Sequence, residues 1–187
     1  MGLNTIHYNY RFMSIRKPFN LQGWIDENRD ILKPPVGNKN LYKEAGDYIV
    51  MIVGGPNARK DYHYNESEEL FYQLEGDILV KIQEEGKMIE VPIKQGEMFL
   101  LPAKVPHSPI RPANTVGLVI ELKRASNFTD GLLWYCDNCN HKLHDTYFEL
   151  TDIEKDFLPR FKEFYSSSER RTCSNCGHVM EVDERFI

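Results

Sequence analysis

The apolar positions along the chain change period twice. Between Asn20 and Leu32, Leu21, Trp24, Ile25, Ile31 and Leu32 fall on one helical face, Asn20 can cap the start, and Pro34-Pro35 gives a stop. From Asp47 to Leu122 the pattern shortens to strand-like runs: DYIVMIV, EELFYQL, DILVKI, MIEVPI, EMFLL and GLVIEL. Turn-forming residues separate them at Gly54-Gly55-Pro56, Glu75-Gly76-Asp77, Glu85-Gly86-Lys87, Gln95-Gly96 and across Pro102 to Pro112. Six short strands with no helical pattern between them predict an all-β barrel or sandwich and argue against a βαβ fold. The strand rhythm stops after Lys123. One helix signal follows: Thr151 and Glu154 have capping-box spacing, and Ile153, Phe157, Phe161 and Phe164 form an apolar stripe. Pro159 is expected to kink or split that helix.

Composition adds one contrast. All four cysteines lie after residue 135 in a chain of 187 residues. The remaining numbers are those of an ordinary folded protein, with 41% apolar and 27% charged residues. A net charge of −5 offers no electrostatic footprint for nucleic acid or anionic lipid. No apolar run is long enough to span a bilayer. Residues 1–12 lack the features of a secretory signal, Ile6 breaks the myristoylation pattern that Gly2 would need, and Met13 reads as a more natural start. The chain is therefore divided into an extension at 1–12, a β-rich unit with its leading helix at 13–125, and a cysteine-bearing region at 126–187. The expected location is cytoplasmic and reducing, where paired cysteines bind metals rather than form disulfides.

Cys136-Asp-Asn-Cys139 and Cys173-Ser-Asn-Cys176 are two CxxC knuckles separated by thirty-three residues. Four thiolates from two knuckles suit a tetrahedral zinc or a single iron. Such a site has no open position, so its role is read as structural, with electron storage or transfer as the alternative. Neither knuckle opens a helix after a strand, which argues against thioredoxin-like redox chemistry. Gly177 permits the tight turn of a rubredoxin-type knuckle, while His141, His144 and His178 are expected at the surface.

Two segments of the strand region concentrate other metal-binding side chains. One holds Arg59, His63, Glu69 and Gly76; the second holds Gly96, Pro102, His107 and Arg111. The even spacings His63 to Glu69, Arg59 to His63 and His107 to Arg111 suit residues sharing one strand face. Two histidines and a carboxylate make the facial triad of non-haem Fe(II) enzymes, which leaves positions open for substrate and dioxygen. Spacing alone is equally compatible with ordinary core or surface histidines, and with solvated arginines.

These segments resemble the two cupin motifs. His63, Glu69 and Gly76 match the first, with Asn65 in place of its second histidine; Gly96, Pro102 and His107 match the second, with Arg111 where an Asn is usual and Lys104 where a Gly is usual. Within the cupins, Arg59-x-x-x-His63 with Glu69, His107-Ser-Pro-x-Arg111-Pro and Gly-Leu-Val-Ile-Glu121 resemble the 3-hydroxyanthranilate 3,4-dioxygenase family, from about Ile15 to the C-terminus. The resemblance includes the four-cysteine site of microbial members.

That resemblance implies a cupin jelly-roll, peripheral helices and a rubredoxin-like knuckle region. It implies catalytic Fe(II) on His63, Glu69 and His107, and a second iron, or zinc, on Cys136, Cys139, Cys173 and Cys176. It further implies that Arg111 binds the substrate carboxylate, that Glu121 pairs with Arg111 and the substrate, and that Arg59 steadies dioxygen. The implied assembly is a homodimer acting on 3-hydroxyanthranilate and dioxygen, without nucleic acid or membrane. Other cupin enzymes are weaker readings: sugar isomerases keep more ligands and thiol dioxygenases use three histidines. A cupin sensor with a zinc-ribbon tail conflicts with the acidic balance.

Overall fold

A computed structural model describes residues 17–33, 37–151 and 153–187. Residues 1–12 and Met13, the Pro34-Pro35 stop and Asp152, together with the side chains of Ile153 and Glu154, lie outside what is described. Eleven strands are seen: β1 Asn38–Asn40, β2 Tyr48–Gly54, β3 Asp61–Tyr64, β4 Glu69–Glu75, β5 Ile78–Glu84, β6 Lys87–Ile93, β7 Met98–Leu101, β8 His107–Ile110, β9 Val116–Leu122, β10 Asp130–Tyr135 and β11 Lys142–Phe148. All pairings are antiparallel. One sheet has the order β1-β2-β9-β4-β7 and the other β11-β10-β3-β8-β5-β6. From β3 to β10 the chain keeps changing sheets, returning only at the β5–β6 hairpin, which is the winding of a cupin jelly-roll.

Side-chain alternation explains why these strands pack. Glu69, Phe71 and Gln73 on β4 are buried while Leu70 and Tyr72 are less so. On β9, Gly117, Val119 and Glu121 face the same interior. Met51, Phe71 and Val119 from one sheet meet Ile78, Val80 and Ile93 from the other in a shared core. Helix α1, Leu21–Glu27, begins at Asn20, whose side chain accepts from the Gly23 amide at 2.8 Å. The single helix expected over this segment is divided at Asn28, and Arg29–Leu32 continues as a 3₁₀ turn. Ile25 and Leu32 then cover Ile52 and Val116 on the outer side of the sheet.

The strand rhythm does not end at Lys123. β10 pairs with β3, so the six-stranded sheet runs across residue 125 without a break. β10 was hidden in the sequence because five of its six residues, Asp130 to Trp134, are buried, and a strand buried on both faces shows no alternation. Helix α2, Ile153–Tyr165, runs through Pro159 without splitting. Phe157, Phe161 and Phe164 pack with Leu132 and Trp134 of β10, and this burial outweighs the interior proline penalty of about 3 kcal/mol. At its start, the Thr151 amide and hydroxyl both donate to Asp156, at 2.8 and 3.0 Å. No described helix is long and apolar enough to cross a membrane.

Candidate metal centres and active site

The sheets bring His63, Glu69 and His107 together. All three are buried, and one donor atom from each lies within 4.8 Å of the others. His63 on β3 is the cross-strand partner of His107 on β8, with ring centroids 5.4 Å apart. Glu69 comes from the opposite sheet, its Oε2 lying 3.2 Å from His107 Nε2. Even spacing is therefore not what aligns His63 with Glu69: they sit on separate strands of separate sheets. His107 Nδ1 lies 3.0 Å from the Val105 carbonyl, which fixes that nitrogen as the donor and leaves Nε2 for a cation. Two imidazoles and a carboxylate fit Fe(II).

The four cysteines form a second cluster, all thiol sulfurs lying within 4.8 Å of one another. Cys136 and Cys176 Sγ are 3.6 Å apart, and Cys139 and Cys173 Sγ 3.5 Å. A tetrahedron with metal–sulfur bonds of about 2.3 Å has edges near ~3.8 Å, so the cluster fits zinc or iron. The two knuckles repeat one backbone pattern. The Asn140 amide donates to the Cys136 carbonyl and the Gly177 amide to the Cys173 carbonyl, each at 2.9 Å. Asn140 and Gly177 both take positive φ, 57° and 73°. Asn138 and Asn175 each donate across to a thiol of the other knuckle, Cys176 and Cys139. The Asn138 amide is the main cause that lowers the Cys176 thiol to about 6, whereas burial pushes Cys136 up to about 11.

A family model described as 3-hydroxyanthranilic acid dioxygenase matches residues 13–165. A 3-hydroxyanthranilate 3,4-dioxygenase of Xanthomonas euvesicatoria pv. vesicatoria is 55% identical over 90% of this chain and 95% of its own length. The enzyme of the same name from Bacillus cereus is 50% identical over 89% of this chain and 94% of its own. The chain belongs to the 3-hydroxyanthranilic acid dioxygenase family.

This dioxygenase-family chain surrounds its triad with charge. Arg111 is 3% exposed and donates from Nη1 to Gln73 Oε1 at 3.3 Å. Burial lowers its guanidinium to about 10, against a favourable contribution from Glu69. Glu121 stands directly across from Glu69. Burial and the Glu69 charge both raise Glu121 above the ordinary carboxylate range. Glu69 itself is held low: burial opposes its charge, and His107 and His63 outweigh that. Asn65, standing where a second motif histidine would be, reaches Glu69 Oε2 at 3.4 Å and Glu121 Oε2 at 3.3 Å.

One expected pairing is not found. Among the described residues Glu121 is not bonded to Arg111; besides Asn65, it is Arg124 that meets it, with Nη1 2.6 Å from Glu121 Oε2. The reason is register. Glu121 shares a rung with Glu69, while Arg111 sits beside the rung of Gln73 and Gly117, four residues along β4. Arg59 lies just before β3, its Nε 3.4 Å from Asp61 Oδ1 and its guanidinium over the rings of Phe157 and Phe161. Phe157 also packs on His63, at 5.3 Å between ring centroids. His144 is half-buried rather than exposed: it packs beside the stacked pair Trp134 and Phe164, at 5.8 and 6.0 Å between ring centroids. Neither it, His141 nor His178 belongs to the cysteine cluster. Sequence reasoning missed Gln73, Arg124 and Asp130. Inward parity on β4 signalled Gln73, whereas Arg124 lies on an irregular link and Asp130 opens β10, a strand without alternation.

Proposed function

We propose that this chain opens the aromatic ring of 3-hydroxyanthranilate with dioxygen, giving 2-amino-3-carboxymuconate semialdehyde. The reading is carried by the buried His63–Glu69–His107 triad, flanked by buried cations, in a member of this family. His63, Glu69 and His107 would hold Fe(II), which would supply the redox chemistry for inserting dioxygen and opening the ring beside the hydroxyl carbon. Both oxygen atoms enter the product, so no external reductant is consumed. The product closes without a catalyst to quinolinate, the precursor of the NAD pyridine ring.

The chain's own residues supply geometry and charge. Arg111 binds the substrate carboxylate, since a planar guanidinium matches that group with two parallel hydrogen bonds. Glu121, its charge disfavoured by burial and by Glu69, orients the substrate's hydrogen-bond donors. Arg59, held by Asp61 and two phenyl rings, steadies negative charge developing on oxygen. Phe157 and Phe161 keep water from that side.

The working assembly is a cytoplasmic homodimer. Tyr48, Leu122, Leu100 and Met98 are all exposed on the outer face of the five-stranded sheet, an apolar surface suited to a second copy. Four free cysteines grouped as ligands suit a reducing compartment.

The test is direct. The chain is purified without oxygen, loaded with Fe(II) and mixed with 3-hydroxyanthranilate in air while the semialdehyde absorbance is followed. Absence of product from iron-loaded protein refutes the assignment.

A further inference from the structure

Arg124 lies on the link between β9 and β10, and its side chain is 6% exposed. Its Nε reaches both oxygens of Asp130, at 3.1 and 2.8 Å, and Nη2 reaches Asp130 Oδ1 at 2.7 Å. The remaining arm, Nη1, holds Glu121 Oε2 at 2.6 Å. Asp130 is fully buried, and its Oδ1 lies 2.7 Å from His63 Nε2. The carboxylate therefore fixes one nitrogen of the His63 ring and leaves the other for a cation. Asp130 is not one of the group whose donor atoms lie mutually within 4.8 Å, so it contacts the triad from outside it.

We propose that Arg124 is a positioning residue: acting through Asp130 it sets the ring of the metal ligand His63, and directly it sets the carboxylate of Glu121. Asp130 belongs to one sheet and Glu121 to the other. One rigid guanidinium thus fixes the site across both sheets. Burying three charged groups is costly unless they are paired in good geometry, and here each partner touches the triad or faces it. Hydrogen bonds to the outer nitrogen of a ligating histidine orient the ring and sharpen metal affinity. A lysine at this position would keep the charge but not the fork.

This inference rests on the reading of the triad as a metal site. Co(II) titration of the intact chain separates the two. Thiolate-to-metal charge-transfer absorbance reports the cysteine site, and calorimetry counts the equivalent bound at the triad. The parent chain takes up two equivalents; uptake at the thiolates alone overturns the metal reading and this inference with it. Arg124→Lys and Asp130→Asn each weaken binding at the triad by about tenfold to a hundredfold, with the cysteine equivalent unchanged. Because Arg124 acts on His63 through Asp130, the double variant loses no more triad affinity than the weaker-binding single variant. Arg124→Lys alone also raises KM for 3-hydroxyanthranilate, since only it releases Glu121. Triad affinity within twofold of the parent in both single variants overturns the proposal. So do losses that multiply in the double variant, or a parallel loss at the cysteine site, which marks a general structural effect.

Discussion

Replacing Arg111 with Met removes a buried cation while keeping much of the side-chain length. The magnitude can be worked from its surroundings. The guanidinium carries five donors, yet among the described residues its one side-chain hydrogen bond is the 3.3 Å contact to Gln73. Its remaining donors are available to a ligand at a side chain that is almost wholly buried. A hydrogen bond to a charged group contributes about 1.5–3 kcal/mol, so a two-pronged contact with the substrate carboxylate is worth about 3–4 kcal/mol. That corresponds to about 10²- to 10³-fold in affinity. The assay is anaerobic calorimetry of 3-hydroxyanthranilate binding to iron-loaded protein, with steady-state KM alongside. A structural perturbation approaches the same contact from the other side. A Cβ on Gly117 would lie 2.8 Å from Arg111 Nη1 and 2.8 Å from Gln73 Oε1, so Gly117→Ala must displace the guanidinium while keeping its charge. It should raise KM by a smaller factor than Arg111→Met. Unchanged substrate affinity in Arg111→Met would refute the assigned role.

Three further outcomes are expected. His63→Ala loses the triad metal and activity but keeps one metal equivalent at the cysteines, as metal analysis of the purified variant will show; loss of both equivalents contradicts two independent sites. Phe164, fully buried and stacked on Trp134 at 4.3 Å between centroids, should cost about 3–5 kcal/mol when changed to Ala, read as a fall in denaturation midpoint; a loss below about 1 kcal/mol contradicts the packing described. Glu75 accepts two hydrogen bonds from Arg29 and one from Gln22, which hold its carboxyl below the ordinary 4.5. A lowered folded-state value means stabilisation that is complete above the ordinary value and lost as pH falls through the lower one. Glu75→Gln should therefore be less stable than the parent at neutral pH, with the gap closing in acid; a gap independent of pH contradicts the ion-pair reading.

The legible parts of this molecule are those written in local periodicity or in residue chemistry. The six alternating runs became β2, β4, β5, β6, β7 and β9. The four cysteines were readable because few other roles demand two CxxC pairs, the triad became readable through the resemblance to the cupin motifs, and the structure gathers both sets. β3 and β8, which carry the two histidine ligands, were not read as strands. Each is four residues long and interrupted by polar side chains or proline, and its regularity comes from pairing with neighbours distant in sequence. Register was equally out of reach. Nothing local says that Glu121 lies across from Glu69 while Arg111 lies beside Gln73, and that difference decides which arginine Glu121 meets.

The C-terminal region is more than a tail held by a metal knuckle. β10 supplies Leu132 as the cross-strand partner of His63 and Asp130 as the group bonded to its ring. Helix α2 supplies Phe157 against the same imidazole and, with Phe161, the aromatic seat of Arg59. The first knuckle begins at Cys136, directly after β10, and its Asn140 exchanges two amide hydrogen bonds with Gln83, at 2.8 and 2.9 Å. Gln83 also donates from its backbone amide to the Pro106 carbonyl, one residue before His107. Cutting the chain at residue 125 would therefore remove more than a second metal. It would leave His63 without Asp130, Arg59 without its rings and an open edge on β3. Such a fragment should lose metal binding at the triad even though Glu121, Arg111 and all three triad ligands remain in it, and retention of that binding would contradict this account of how the site is built.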